Sequence, residues 1–108
     1  MFARILDFEV KLEKKEEFLK VLKNQIVPIL KKQVGFLEIL PFFPERVNQE
    51  RALTITLWTT RSDAERYERD THPRVLEILK PFLTAIFEVK HYKLESAICE
   101  RFVEALSA

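Results

Sequence analysis

The sequence predicts an α+β fold, in which one antiparallel sheet of four strands is covered by helices in the order strand, helix, strand, strand, helix, strand. Apolar and polar residues alternate in the segments that begin at Phe2 and Arg51, which indicates half-buried strands. Between and after these segments, apolar residues recur every three or four positions, which indicates amphipathic helices. A length of 108 residues suits one domain, and we expect it to span 1–108.

The first strand is followed closely by the first helix. From Phe2 to Val10, apolar residues alternate imperfectly with charged ones. From about Lys14 to Gln33, the apolar residues form one stripe of a helix. Pro28 should kink this helix or split its last turns, because proline has no amide proton to donate. Gly35 is the only glycine in the chain, and we expect it to end the helix in a left-handed conformation.

Two further strands are predicted after this helix. The run "FLEILPFF", from Phe36 to Phe43, is apolar enough for a strand, and Pro41 indicates a sheet edge because it cannot donate a ladder hydrogen bond. The run "RALTITLW" alternates cleanly between two faces. One face carries Leu53, Ile55 and Leu57, and the other carries Thr54, Thr56 and Trp58.

The second helix has a start signal and an internal break. Ser62 and Glu65 have the spacing of a capping box, so we expect the helix to begin at Ser62. At "DTHPRV" we expect an interruption, because Pro73 suits the first turn of a new helical piece capped by Thr71 or His72.

The C-terminal part predicts a last strand, from Ala85 to Leu94, and a short helix over "ESAICERFVEAL". The complete order is that of the ferredoxin-like fold. Neither face of the sheet is polar in sequence, so the face opposite the helices needs a cover. We expect a second copy of the chain to cover it, forming a dimeric α+β barrel. The alternative is that the C-terminal helix covers part of the same face.

Charge and composition exclude several classes of protein. The net charge of +1 argues against nucleic acid or an anionic membrane surface as a partner. One cysteine and two histidines show no metal-site spacing, so we expect no metal. Charged residues occupy the start of the chain, and no run of about 18 apolar residues occurs, so a cytoplasmic protein without a membrane span is expected.

With these elements placed, the chain resembles the antibiotic biosynthesis monooxygenase superfamily of dimeric α+β barrels, over Phe2 to Leu94. Three patterns carry the resemblance: "VPILKKQVGFLEI", "LTITLWTTRSDAERY" and "HPRVLEILKPFL". The superfamily includes cofactor-independent oxygenases of polycyclic phenols or quinols, haem-degrading enzymes, and members with no assigned activity. The resemblance implies a cofactor-independent monooxygenase that acts on a small aromatic or quinol-like substrate.

The resemblance also implies a pocket between the sheet and its helices. In that pocket Trp58, at the end of the third strand, would bind the substrate together with Thr54 and Thr56. Tyr67 and His72 would be the catalytic residues, which handle the proton of the substrate while oxygen attacks.

Several positions depart from the pattern of the superfamily. Thr54 stands where some oxygenases have an asparagine, and Asp7 occupies the region of an asparagine found in haem-degrading members. The second helix also lacks the tryptophan of those members. Asp7 and Glu9 lie on the opposite strand face from Leu6 and Phe8, and we expect both to reach solvent.

Each candidate residue also has a purely structural interpretation. Trp58 would then fill the core, Tyr67 would keep its hydroxyl in water, and His72 would lie on the surface or cap a helix. The alternative function is therefore a non-catalytic dimeric α/β barrel that binds a small molecule or has a structural role. The sequence leaves open whether the chain is an enzyme.

Overall fold

The computed structural model describes residues 1–45, 51–84, 88–95 and 97–98. Its helices and strands are, in chain order, β1 (Phe2–Glu9), α1 (Lys15–Val21), α2 (Val27–Lys31), β2 (Phe36–Phe42), β3 (Arg51–Trp58), α3 (Arg61–Asp70), α4 (His72–Leu79) and β4 (Glu88–Lys93). The four strands form one antiparallel sheet in the order β2, β3, β1, β4. The α+β, ferredoxin-like fold predicted from the sequence is therefore confirmed. Residues 85–87 of the predicted last strand, and most of the predicted C-terminal helix, lie outside the described residues.

The two central strands, β1 and β3, bury every second residue against the helices. Antiparallel pairing places Phe2 opposite Trp58, and the register continues to Glu9 opposite Arg51. Because paired residues share a face, the buried residues of the two strands form one continuous surface under the helices. The predicted faces of β3 are correct: Thr54, Thr56 and Trp58 are the buried ones.

The first helical segment is not one α-helix. A π-helical turn, Leu22–Ile26, separates α1 from α2 just before Pro28, which stands in the first turn of α2. A π-helical turn is wider than an α-helical turn. It can therefore accommodate Pro28, which has no amide proton to donate to the carbonyl of the preceding turn. The predicted split is therefore present. The helix ends at Lys31, two residues earlier than the sequence indicated.

Gly35 has a φ of +81°, in the left-handed region that the sequence predicted for it. It lies in the turn between α2 and β2, not directly at the helix end. A Cβ at this position would overlap the side chain of Asp63. Glycine is therefore required both by the backbone and by the close approach of α3.

The start of α3 corrects the sequence prediction. The N-cap is Thr60, with extended backbone, and its Oγ1 accepts a hydrogen bond from the Asp63 amide at 3.2 Å. Thr60 Oγ1 also lies 2.9 Å from Asp63 Oδ2. The capping box predicted from Ser62 and Glu65 is wrong, because the cap residue must be non-helical and Ser62 lies inside the helix. The predicted break is present, since α4 starts at His72 with Thr71 as N-cap.

The face of the sheet opposite the helices carries apolar side chains on all four strands. Ile5 and Ile55 pair at its centre, and Leu40 of the edge strand β2 pairs with Ile55. Phe42 and Tyr92 are 51% and 52% exposed on the same face. Pro41 lies on edge strand β2, as predicted. Within the described ranges, no helix has the length and apolar character needed to cross a membrane.

Candidate functional site

A cavity of about 30 Å³ lies between the sheet and the helices. Its wall is mostly apolar, with side chains from β1, the π-helical turn, α2 and α4. Five polar residues interrupt that wall: Arg4, Thr54, Thr56, Tyr67 and His72. A mostly apolar hollow with a few convergent polar groups is the usual form of a small-molecule site.

Two larger hollows on the surface have less suitable chemistry. One, of about 370 Å³, is lined by Asp7 and Arg51, among others, and these two groups already pair with each other at 2.7 Å. The other, of about 210 Å³, is lined mostly by exposed side chains, among them Thr60, Arg61 and Lys93. The buried cavity is therefore the candidate site. Asp7 and Glu9 bind Arg51 on the opposite face of the sheet, so neither faces the cavity, as expected.

Arg4 is the most unusual residue of the cavity. It lies on β1 in phase with the buried apolar residues and is only 3% exposed. Its Nε is 3.7 Å from Glu68 Oε2, which is longer than a hydrogen bond. Among the described residues, Nε and Nη2 have no hydrogen-bond partner. Burial lowers the pKa of Arg4, while Tyr67 and Glu68 oppose this effect, and the guanidinium stays positively charged near neutral pH.

Tyr67 is buried beside Arg4, on the inner face of α3. Its ring centroid lies 5.6 Å from the guanidinium carbon of Arg4, and 5.8 Å from the ring of His72. Burial raises the pKa of Tyr67 to about 12, against a smaller lowering by Arg4. The phenol is therefore protonated at neutral pH and can donate a hydrogen bond.

His72 is buried at the first position of α4, where Pro73 fixes the start of the helix. Burial lowers its pKa to about 4, and the charge of Arg4 acts in the same direction. The imidazole is therefore neutral near pH 7, and a neutral imidazole has one nitrogen that accepts a proton.

Thr54 and Thr56 of β3 both line the cavity, and the hydroxyl group of Thr56 is already hydrogen-bonded within the sheet. Thr56 Oγ1 donates to the carbonyl of Arg4 at 3.3 Å and accepts from Trp58 Nε1 at 3.0 Å. Its hydroxyl proton is thus used within the sheet. Thr54 lies one strand repeat away on the same buried face.

Trp58 is fully buried and is not part of the cavity wall. Its ring packs at 5.5 Å from Phe36 and at 5.0 Å from Tyr67. The structure therefore brings Thr54, Thr56, Tyr67 and His72 together, and places Trp58 behind Tyr67. In this position Trp58 supports the ring of Tyr67 by packing.

Arg4 and Glu68 were not predicted from the sequence as residues of this site. The signal for Arg4 was present, because strand alternation places it on the same face as Phe2, Leu6 and Phe8. Glu68 follows Tyr67 on α3, and its Oε2 is 2.9 Å from His91 Nε2 at the surface. Nothing in the sequence alone indicates that this carboxylate stands near Arg4.

Metal and haem do not fit the cavity. Within the part of the chain that the structure describes, no three His, Cys, Asp or Glu residues are grouped closely enough to hold a metal ion. A porphyrin needs several hundred Å³, the size of ordinary ligand pockets, whereas this cavity measures about 30 Å³.

The fold is shared with several solved structures. The haem-degrading protein MhuD of Mycobacterium tuberculosis, with two haems bound in its active site, has a TM-score of 0.72 at 15% identity, covering 88% of this chain and 96% of that one. SnoaB, a cofactor-independent oxygenase of Streptomyces nogalater, solved as a mutant, has a TM-score of 0.65 at 16% identity, covering 92% and 97%. A candidate antibiotic biosynthesis monooxygenase of Nitrosomonas europaea has a TM-score of 0.72 at 15% identity, covering 87% and 89%.

These likenesses concern the fold. No protein-family model matches the chain, and no curated protein matches it in sequence.

Proposed function

We propose that this chain, which has the fold of the antibiotic biosynthesis monooxygenase superfamily, is a cofactor-independent oxygenase acting on a small electron-rich phenol. The observation that supports the proposal is the polar cluster of Tyr67, His72 and Arg4 in an otherwise apolar cavity. The fold likeness to a cofactor-independent oxygenase is consistent with it, although identity of 16% carries no site residues over.

In this proposal the two proposed catalytic residues have different tasks. Neutral His72 accepts the phenol proton, and protonated Tyr67 donates a hydrogen bond to the phenolate oxygen. The phenolate then gives electrons to O₂, and a C–O bond forms at a ring carbon that carries hydrogen. The resulting hydroperoxide loses water to leave a quinone. One phenol and one O₂ give one quinone and one water, so the substrate supplies all four electrons.

The cavity must widen to hold an aromatic ring, because about 30 Å³ is room for little more than water. The wall that faces the sheet includes Leu22 and Ile26 of the π-helical turn. π-Helical turns are rare and often occur at functional sites, so this wall is the part that we expect to move.

A test of the chemistry uses the two tyrosines and two histidines of the chain. Oxygen uptake is measured with a dihydroxynaphthalene, against the rate without protein. We expect Tyr67→Phe and His72→Gln each to lower the protein-dependent rate about 100-fold, the usual effect of losing a proton-handling group. Tyr92→Phe and His91→Gln, outside the cavity, are the matched controls and should keep the wild-type rate. Unchanged uptake in both cavity variants would dismiss these roles.

The small volume of the cavity favours a second candidate, a binding or structural barrel with no chemistry. This candidate predicts ligands that raise the melting temperature without ever being consumed. It also predicts no oxygen uptake with any phenol.

The homodimer belongs to the same proposal. The sheet face opposite the helices carries a group of apolar side chains that includes Ile5, Ile55 and Phe42. Such a group, unlike isolated apolar residues on a surface, indicates an interface, and a second copy of the chain covers it by symmetry. The cytoplasmic location and the absence of a cofactor, both expected from the sequence, stay predictions.

A further inference from the structure

We propose that Arg4 makes the buried cavity a binding site for a small organic monoanion, with a carboxylate or phenolate oxygen as the bound group. This anion site lies in the same cavity as the proposed function and does not depend on oxygen chemistry. Arg4 is a buried cation, 3% exposed, and its Nε and Nη2 have no hydrogen-bond partner in the described ranges.

A cation in this condition is costly to the fold. A buried charge with unmade hydrogen bonds loses the water that would have solvated it. Glu68 compensates only in part, because its carboxylate stands 3.7 Å from Arg4 Nε and is bound at 2.9 Å by His91 on the solvent side. A ligand anion in the cavity would supply the missing partner.

The two unpartnered nitrogens define the shape of that partner. Nε and Nη2 lie along one edge of the guanidinium group, and together they form a fork that can donate two hydrogen bonds to a carboxylate. Arg51 of the same chain shows this use, since its Nε and Nη2 donate to Asp7 Oδ1 at 3.0 and 2.7 Å. Arg4 lines the cavity, and the carboxylate near its fork, that of Glu68, lies 3.7 Å from Nε, beyond hydrogen-bond distance.

The surroundings of Arg4 restrict the ligand further. Arg4 is a single cation, and the nearby Glu68 is an acid, so a monoanion matches the site better than a dianion does. Leu6, Leu30 and Leu79 line the wall and suit an apolar body behind the anionic group. The class is therefore a small aromatic or aliphatic acid, or a phenol bound as phenolate, and the cavity of about 30 Å³ must widen to hold it.

In the proposed function His72 accepts the phenol proton, and its low pKa makes a neighbouring cation useful for that step. With a pKa of about 4, its imidazole is a weak base for a phenol, whose ordinary pKa is about 10. A neighbouring cation lowers the pKa of a bound phenol by stabilising the phenolate. Arg4 thus does electrostatically what His72 cannot do by basicity alone.

The test compares benzoate with benzamide, a neutral molecule of nearly the same shape, by calorimetry and by thermal shift. Wild-type chain should bind benzoate at least tenfold more tightly than benzamide, and acetate should bind weakly but measurably. Arg4→Met should weaken benzoate binding at least tenfold and leave benzamide unchanged. Arg61→Met, which removes an exposed arginine at the start of α3, is the matched control and should bind benzoate like wild type.

Two outcomes would overturn the inference: equal binding of benzoate and benzamide by wild type, or unchanged benzoate binding in Arg4→Met. If Arg4→Met does not fold, Arg4→Lys keeps the charge without the fork and should bind benzoate several-fold more weakly. Benzoate cannot undergo the proposed oxidation. Benzoate binding without oxygen uptake on phenols would therefore reject the proposed function alone. Oxygen uptake by a wild-type chain that binds benzoate and benzamide equally would reject only this inference.

Discussion

Arg4 shows how far a single residue can be read from sequence. Strand alternation places Arg4 on the inner face with Leu6 and Phe8. A charged residue at such a position looks like an exception to the alternation of apolar and polar residues, not like a buried cation. The environment of Arg4 is formed in part by Tyr67 and Glu68, which belong to a helix more than sixty positions later in the chain. Tyr67 and His72 differ from Arg4, since the family resemblance implied that both lie near one pocket.

Trp58 illustrates the opposite case. A large aromatic residue at a strand end is compatible with a pocket wall and with core, and sequence offers no means to choose. In the structure, the rings of Phe36 and Tyr67 pack against Trp58.

At the residue scale, His72 predicts a pH dependence of stability. Its pKa is lowered from 6.5 to about 4 in the fold, where Arg4, Tyr67 and Glu68 are its ionisable neighbours. The unfolded chain therefore binds a proton near pH 6.5 while the folded chain does not. The contribution of His72 to the free energy of unfolding is complete above pH 6.5, and it declines as the pH falls from 6.5 towards 4.

Urea unfolding of wild type and His72→Gln at about pH 7 and about pH 5 measures this contribution. Wild type should lose about 1 to 2 kcal/mol more than His72→Gln between the two conditions. Equal losses in wild type and His72→Gln would show that His72 is protonated in the fold.

At the element scale, the helices show which helix breaks and starts can be predicted from neighbouring residues alone. Pro28 and Pro73 correctly marked a disturbed helix and a new helix start, because proline acts through its own backbone. The start of α3 was misjudged by two residues. Thr60 and Ser62 are both good cap residues, and only the chain direction set by β3 decides which one has extended backbone.

The cap of α3 can be tested directly. Thr60→Ala should lower the free energy of unfolding by about 0.5 to 2 kcal/mol, because the Asp63 amide loses its acceptor. Ser62→Ala, on the exposed first turn, should change it by less than about 0.5 kcal/mol. Chemical denaturation of both variants measures the difference. A larger loss in Ser62→Ala would restore the capping box that the sequence suggested.

At the scale of the whole molecule, the sheet has apolar side chains on both faces. The helices cover one face, and the strand order places Ile5 and Ile55 in the middle of the other. The sequence predicted this arrangement because alternation reports faces reliably. It could not report the volume of the cavity, which depends on how side chains from distant elements fill the same space.

The proposed homodimer predicts a defined response to a charge at the centre of this face. Wild type should sediment as a dimer at micromolar concentration, and Ile55→Asp should sediment as a monomer, because a carboxylate would be buried without a partner. Leu19→Asp changes an apolar residue that is 40% exposed on α1, and it should stay dimeric. A wild-type monomer, or a dimeric Ile55→Asp, would contradict the proposed interface.

Binding of a small organic anion beside Arg4 is the most direct test of the buried cavity as a functional site. Nuclear magnetic resonance of the arginine Nε–Hε groups observes this event directly, with the Arg4 signal identified by its loss in Arg4→Met. As benzoate is added, we expect the Arg4 signal to move and to saturate with the affinity measured by calorimetry, while the Arg61 signal stays in place. An Arg4 signal that stays unchanged while benzoate binds would place the ligand elsewhere and contradict the account.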